Sequence, residues 1–401
     1  MARNTVQPQL MTGDVVPVLW LCGPPGVGKT AVGWEIYSEL IRSGVQTGYV
    51  DVDQLGMCYP EPAGDPGRHR MKTRNLNSVI AGYRAAGARC VVVSGVVDAR
   101  QGVHRDELTQ VALTVCRLRA DEEQLAQRFV GRQGHDGGLA QALQEAANLD
   151  AGAVAEVCVD TSGLTVADVA RQVHDRVNGW PWLSDLQGPL SAAEPVHGDS
   201  VADDPGAGVD PDGRVLWLCG ATGVGKSTIG FQVYLKVLGA GLTAAYIDLS
   251  QIGFCGPTPA DHRLKAHNLA ALWRTYRDAG AQALVLVGPA EDESALAVYG
   301  GALPASAVTV CRLHAGRDTL TSRIMLRGQG RGSWPEPGDP LVGKPTAHLL
   351  SVAGQAAQEA EALERAAIGC RIDTDGYTIA EITDMVVART GWPGQLPARH
   401  A

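Results

Sequence analysis

The stretch Val18–Ala31, VLWLCGPPGVGKTA, returns with four changes in fourteen residues as Val215–Thr228, VLWLCGATGVGKST. Gly220 stands 197 residues after Gly23. Each copy opens with an apolar run that suits a buried strand. Behind the first copy, Val32, Ile36, Leu40 and Ile41 follow near helical spacing. A strand, then Gly-x4-Gly-Lys-Thr or Ser, then a helix is a strong constraint on local structure. Glycines there let the main chain turn so that several N–H groups converge on one anion, and the helix start adds partial positive charge. The loop is therefore read as a phosphate cradle made by Gly23, Gly26, Val27, Gly28, Lys29, Thr30 and Ala31. Its repeat is made by Gly220, Gly223, Val224, Gly225, Lys226, Ser227 and Thr228. Lys29 and Lys226 are placed to reach outer phosphates, and the Thr30 and Ser227 hydroxyls to ligate Mg²⁺. A glycine-rich turn with a surface lysine is the plainer alternative; the strand and helix on either side speak for the cradle.

A second match behind the same strand points to a tandem duplication. The expected organisation is one domain over residues 12–183, a linker over 184–212 and a second domain over 213–397. The linker is acidic and rich in Pro, Gly, Ala and Asp, as mobile connectors are. Over the 401 residues the net charge is −9, which leaves no general basic field for nucleic acid. No apolar run approaches the ~20 residues that span a bilayer, and the start has no secretory signal pattern. Neither a nucleic acid nor a membrane is expected as partner. Eight of the nine cysteines fall at matched places in the halves, several inside apolar strands. Buried, reduced thiols and a cytoplasmic protein are the simplest account. The scarcity of Lys and Phe beside abundant Ala, Gly, Val and Arg resembles proteins of GC-rich genomes such as those of actinobacteria.

Along the chain, TGYVDVDQLG reads as a second strand ending at Asp51 and Asp53, which alternate and so share a face. The repeat is TAAYIDLSQIG, with Asp248 at the first place and Ser250 at the second. Asp51 can serve a metal or simply cap its turn; Asp53 can meet an acceptor or sit in a solvated turn. HRMKTRNL and HRLKAHNL each open an amphipathic helix, with Arg70, Arg74 and Asn75 in the first and Arg263 and Asn268 in the second. The continuous apolar runs CVVVSG and ALVLVG suit a central parallel sheet. Arg128 and Arg132 lie one turn apart on a later helix, as do Arg323 and Arg327; a solvated helix face is the other reading. The halves diverge most after these arginines, where the second inserts Gly332–Leu349, read as loop. Trp20, Trp217, Trp180 and Trp392 are read as packing residues, Arg117 and Arg312 as structural pairs, and His69 and His262 as non-ligands.

The order strand, phosphate loop, helix, Asp-ended strand, helix, two strands, Arg-bearing helix, strand, helix resembles the small P-loop kinases: the nucleoside monophosphate, shikimate, gluconate and adenylylsulfate kinase group. The resemblance implies an α/β fold of two tandem P-loop NTPase domains, each a three-layer α/β/α with a five-stranded parallel sheet in the order 2-3-1-4-5. It implies ATP in the cradles and Mg²⁺ held by Thr30 and Asp51, or by Ser227 and Asp248. Lys29, Asp51, Asp53, Arg128 and Arg132, with Lys226, Asp248, Arg323 and Arg327, become the catalytic set, the arginines acting as lid groups. Asp53, Arg70, Arg74, Asn75, Arg263 and Asn268 become the acceptor-binding set. The implied activity is transfer of the γ-phosphate to a small molecule, either an alcohol or a phosphate- or sulfate-bearing metabolite. The Asp53/Ser250 difference makes the two sites unequal. The competing reading is a nucleotide-gated ATPase or sensor without a metabolite acceptor. The halves can pack as a pseudo-dimer, and a homo-oligomer is compatible with the pattern.

Overall fold

The computed structural model describes residues 15–133, 135–177, 180, 213–258, 262–290, 293–331 and 339–394. The expected linker, 184–212, lies outside the described residues, as do 12–14, 181–183 and 395–397. The described part of the first repeat runs β1 (Val16–Cys22), α1 (Lys29–Arg42), β2 (Thr47–Asp51), β3 (Cys58–Tyr59), α2 (His69–Ala85), β4 (Cys90–Ser94), β5 (Val111–Arg119), α3 (Glu122–Gln133), α4 (Leu139–Ala151), β6 (Val157–Asp160) and α5 (Val166–Arg176). The second runs β7 (Gly213–Cys219), α6 (Lys226–Gly239), β8 (Ala244–Asp248), β9 (Phe254–Gly256), α7 (His262–Asp278), β10 (Ala283–Val287), α8 (Glu293–Gly301), β11 (Ser306–His314), α9 (Arg317–Gly328), α10 (Thr346–Ala366), β12 (Cys370–Asp373) and α11 (Ile379–Thr390).

Two sheets result, with the orders β6-β5-β1-β4-β2-β9 and β12-β11-β7-β10-β8-β3. The expected five strands in the order 2-3-1-4-5 are corrected by this. Each sheet has six strands, and the sixth is a short strand outside the second, taken from the other repeat. β3 pairs antiparallel with β8, Cys58 opposite Ala245 and Tyr59 opposite Ala244. The strands next to β7 are parallel, as expected of apolar runs covered on both faces.

By internal packing the chain divides into two compact units that do not follow the repeats. Unit one takes Met1–Tyr49, Tyr83–Ser200 and Cys255–Thr258; unit two takes Val50–Gly82, Val201–Phe254 and Pro259–Ala401. In unit one, Gln46 holds the exchanged segment at both ends of its amide: Nε2 donates to Thr258 O at 3.0 Å, and Oε1 accepts from Thr258 N–H at 3.2 Å. In unit two, Tyr246 N–H donates to Met57 O at 2.8 Å. There the Arg68 guanidinium lies 3.8 Å over the Tyr59 ring and pairs with Glu61 at 2.6 Å. Cation–π stacking and the ion pair together anchor a segment that has few apolar residues of its own.

The cores follow from the patterns. On α1 the residues Val32, Ile36 and Leu40 are buried, and Ile41 is half-buried at the edge of that stripe. Matched aromatic clusters support both first helices. Trp34 meets Tyr49 edge-on in unit one, with centroids 5.2 Å apart, and Phe231 meets Tyr246 edge-on in unit two at 5.8 Å. Trp20, Trp180, Trp217 and Trp392 are all buried. Arg117 donates to Leu149 O and pairs with Asp150, while Arg312 donates to Leu363 O and lies 3.4 Å from Glu364.

Three local details go beyond the sequence patterns. The helix bearing Arg323 stops at Gly328, and Gly330 turns at φ +72°, which leaves Arg331 beyond the helix. Of the insertion read as loop to Leu349, residues 332–338 lie outside the description, and Thr346–Leu349 are already α10, which starts behind Pro345. Proline is well suited to a helix start because its φ is preset and it lacks an N–H. α8 carries little polar–apolar periodicity, and the sequence reading passed over it.

Two measurements test this packing. Gly48 in β2 faces the Tyr83 ring, where a Cβ would come within 2.7 Å of ring carbons. Gly48→Ala is expected to destabilise unit one by about 1–3 kcal/mol, read as a lowered urea midpoint. Burial pushes the Cys22, Cys58, Cys90 and Cys116 thiols up to about 12, whereas Cys158 is exposed. These buried thiols stay neutral and inert at pH 8. Iodoacetamide on the native protein should mark Cys158 before any of them, as peptide mass mapping will show.

Candidate functional site: the two phosphate loops

The second loop lies wholly within unit two. β7 ends at Cys219, and Gly220, Gly223 and Gly225 then take φ values of +146°, +82° and +102°. Gly225 is the N-cap of α6 and supplies no capping side chain, as suits an anion site at a helix start. Val224 has its side chain buried and can offer only main chain. Lys226 turns back over the loop, its Nζ donating to Gly220 O at 2.9 Å and Ala221 O at 3.0 Å. Burial lowers its pKa, against the pull of Asp248 and Glu359. An ammonium held by carbonyls across an open loop is poised to exchange them for phosphate oxygens.

Ser227 Oγ donates to Asp248 Oδ2 at 2.7 Å. The other oxygen of Asp248 accepts from Ser250 N–H at 2.9 Å and from Ser250 Oγ at 2.7 Å. Asp248 thus caps its turn and faces the helix-start hydroxyl at once. A hydroxyl and a carboxylate oxygen at this separation form the hard donor set that Mg²⁺ prefers. Ser227 and Asp248 would hold the ion, which supplies charge neutralisation on outer phosphates when bound.

Arg323 on α9 ties the loop to the turn behind β12. Nη1 donates to Val224 O at 2.8 Å and Thr374 Oγ1 at 3.0 Å, and Nη2 to Thr374 O at 3.3 Å. Burial lowers its pKa somewhat, with Asp375 opposing. Arg327, one turn on, has its Nε 2.9 Å from Asp339 Oδ2. Loop, Asp248, Ser250, Lys265, both arginines and Arg331 line a cavity of about 730 Å³ that extends to Tyr377 and Ile379. That volume accommodates a nucleotide-sized ligand. Lys265, Glu359 and Tyr377 are lining residues that the sequence reading did not assign. Lys265 could have been found, since it repeats Lys72 in the matched HR-x-K stretch; Glu359 gave no local signal.

In unit one the first loop repeats the turn, with Gly23, Gly26 and Gly28 at φ +145°, +86° and +102°. Lys29 Nζ donates to Pro24 O at 3.0 Å. Arg128 repeats Arg323: Nη1 donates to Thr161 Oγ1 at 2.8 Å and Val27 O at 3.4 Å, and Nη2 to Thr161 O at 2.8 Å. Thr30 follows Lys29 at the helix start, Ala31 is exposed, and Val27 is buried. The Arg132 side chain lies outside the described residues.

The remaining expected residues of the first repeat belong to unit two. Asp51 Oδ1 accepts from Asp53 N–H at 3.0 Å, and Asp53 Oδ1 pairs with Lys72 Nζ at 2.8 Å. Arg70, Arg74 and Arg263 have exposed side chains on the first turns of α2 and α7. Asn75 and Asn268 are fully buried, and each braces the turn behind its Asp-ended strand. Asn75 Nδ2 donates to Leu55 O at 2.7 Å and Asn268 Nδ2 to Ile252 O at 2.6 Å. The structure therefore gives them a bracing contact where acceptor contact was expected.

With this geometry in view, residues 19–154 match the family model described as an AAA domain. The matched residues begin in β1 and include the first glycine loop. None of the curated proteins compared with the chain matches it. Among solved structures, the gluconokinase of Sinorhizobium meliloti 1021 is 24% identical and aligns over 40% of this chain and 89% of its own, with a TM-score of 0.28. The tunicamycin resistance protein of Deinococcus radiodurans is 21% identical over 40% of this chain and 94% of its own, with a TM-score of 0.30. The APS kinase of Mycobacterium tuberculosis is 18% identical over 44% and 97%, with a TM-score of 0.28. Among the described residues, no helix is long and apolar enough to cross a membrane.

Arg323→Ala removes three hydrogen bonds that brace the second loop. It is expected to weaken nucleotide binding at that loop by at least about tenfold, ~1.4 kcal/mol, in calorimetry on a Lys29→Ala background that silences the first loop.

Proposed function

We propose that the protein is an ATP- and Mg²⁺-dependent phosphotransferase that moves the γ-phosphate to a small acceptor at two unequal nucleotide sites. The observation that carries this reading is the second loop. A main-chain cradle, a folded-back ammonium, a hydroxyl–carboxylate pair and arginines line one cavity. Phosphoryl transfer needs alignment and charge neutralisation more than covalent help, and these parts supply both. Lys226 holds outer phosphate oxygens, Ser227 and Asp248 hold the metal, and Arg323 and Arg327 balance charge on the transferring group. In the first repeat Lys29, Thr30 and Arg128 take the matching parts. Asp53 is the acceptor-side carboxylate of that repeat, held by Lys72. Such a carboxylate can receive a proton from an alcohol, whereas Ser250 offers no comparable base. This difference supports unequal sites.

Turnover of ATP against a panel of sugar acids, alcohols and nucleoside monophosphates tests the proposal. Lys29→Ala and Lys226→Ala, made separately in the full chain, should each reduce turnover, by different factors of at least about tenfold. Equal losses would reject unequal sites. Mg·ATP binding without stimulation by any acceptor would favour the nucleotide-gated ATPase or sensor.

A further inference from the structure

Glu359 stands on α10, six residues before Arg365, and reaches into the mouth of the second loop. Its Oε2 accepts the main-chain N–H of Thr222 at 2.8 Å, and its carboxylate lines the same cavity as Lys226 and Arg327. A negative group seated on the loop that cradles anions competes with any anion bound there. The first repeat cannot make this contact. Leu149 and Asp150 meet Arg117 as Leu363 and Glu364 meet Arg312, which aligns Glu145 with Glu359. Opposite it, the place of Thr222 is taken by Pro25, which has no N–H to donate.

We infer that Glu359 is a specificity-determining residue of the second loop, one that penalises bound negative charge. The loop thereby takes triphosphate complexed with Mg²⁺ and disfavours the metal-free tetra-anion. The sign follows from charge alone: the metal complex carries about half the negative charge of the free nucleotide, so the same carboxylate repels it less. The metal would also have its own oxygens in the Ser227 hydroxyl and the Asp248 carboxylate. The inference rests on the nucleotide-binding reading of this loop but not on any acceptor.

The test is calorimetric titration of the full chain carrying Lys29→Ala, with ATP in EDTA and with ATP in excess Mg²⁺. Adding Glu359→Gln keeps an oxygen that can accept from Thr222 and removes the charge. It should tighten metal-free ATP by about tenfold, ~1.4 kcal/mol, and Mg·ATP by no more than about threefold. Thr222→Pro, which installs the residue of the first loop, should shift the same ratio in the same direction. An unchanged ratio in both variants overturns the inference. Heat from the wild-type chain that vanishes with Lys29→Ala overturns it as well while leaving nucleotide binding intact. No heat from the wild-type chain in either condition rejects the nucleotide reading and this inference together.

Discussion

In each repeat the chain leaves its first strand so close to a neighbouring strand that no side chain fits. A Cβ on Gly220 would stand 2.5 Å from the carbonyl oxygen of Leu313, in a backbone conformation of φ +146°. Gly23 meets Leu118 O in the same way, at φ +145°. Because the turn is this tight, the following residues wrap back over the helix start instead of running on. Everything used by the candidate site depends on that wrap: the converging N–H groups, the ammonium lying across two carbonyls, and the hydroxyl set against a strand-end carboxylate. An alanine there would meet backbone on one side and strain on the other, and neither can yield cheaply.

The loops are supported from outside by a single repeated device. Arg128 and Arg323 each join a loop carbonyl to the threonine that follows the last strand of its sheet. A planar guanidinium can serve both at once, which a lysine cannot. Asn75 and Asn268 do comparable work lower down, each tying a buried side-chain amide to the turn behind the Asp-ended strand. The charges that would handle phosphate are thus mounted on elements whose positions are set by buried hydrogen bonds.

The repeats are alike where the cradle is built and different where it opens. Asp53 meets Lys72, while Ser250 turns to Asp248. Pro25 is silent as a donor, while Thr222 donates to Glu359. The second half alone adds Asp339, whose carboxylate takes both Arg327 and the N–H of Leu341. These differences fall at charged and hydrogen-bonding positions around the loops, while the glycine turns themselves are matched.

By itself the sequence determined the two loops, the strands and helices around them, the buried stripe on α1 and the carboxylates that end β2 and β8. These are written in local spacing: glycines where φ is positive, an apolar run before them, a helical period behind. Only the tertiary structure decided that Cys58–Tyr59 and Phe254–Gly256 complete each other's sheets, that the asparagines brace turns, and that Glu359 sits on the second loop. Those facts join residues far apart in the chain, 137 positions in the case of Thr222 and Glu359. No local period records such pairs, because the free energy that selects them arises only when the packed surfaces meet.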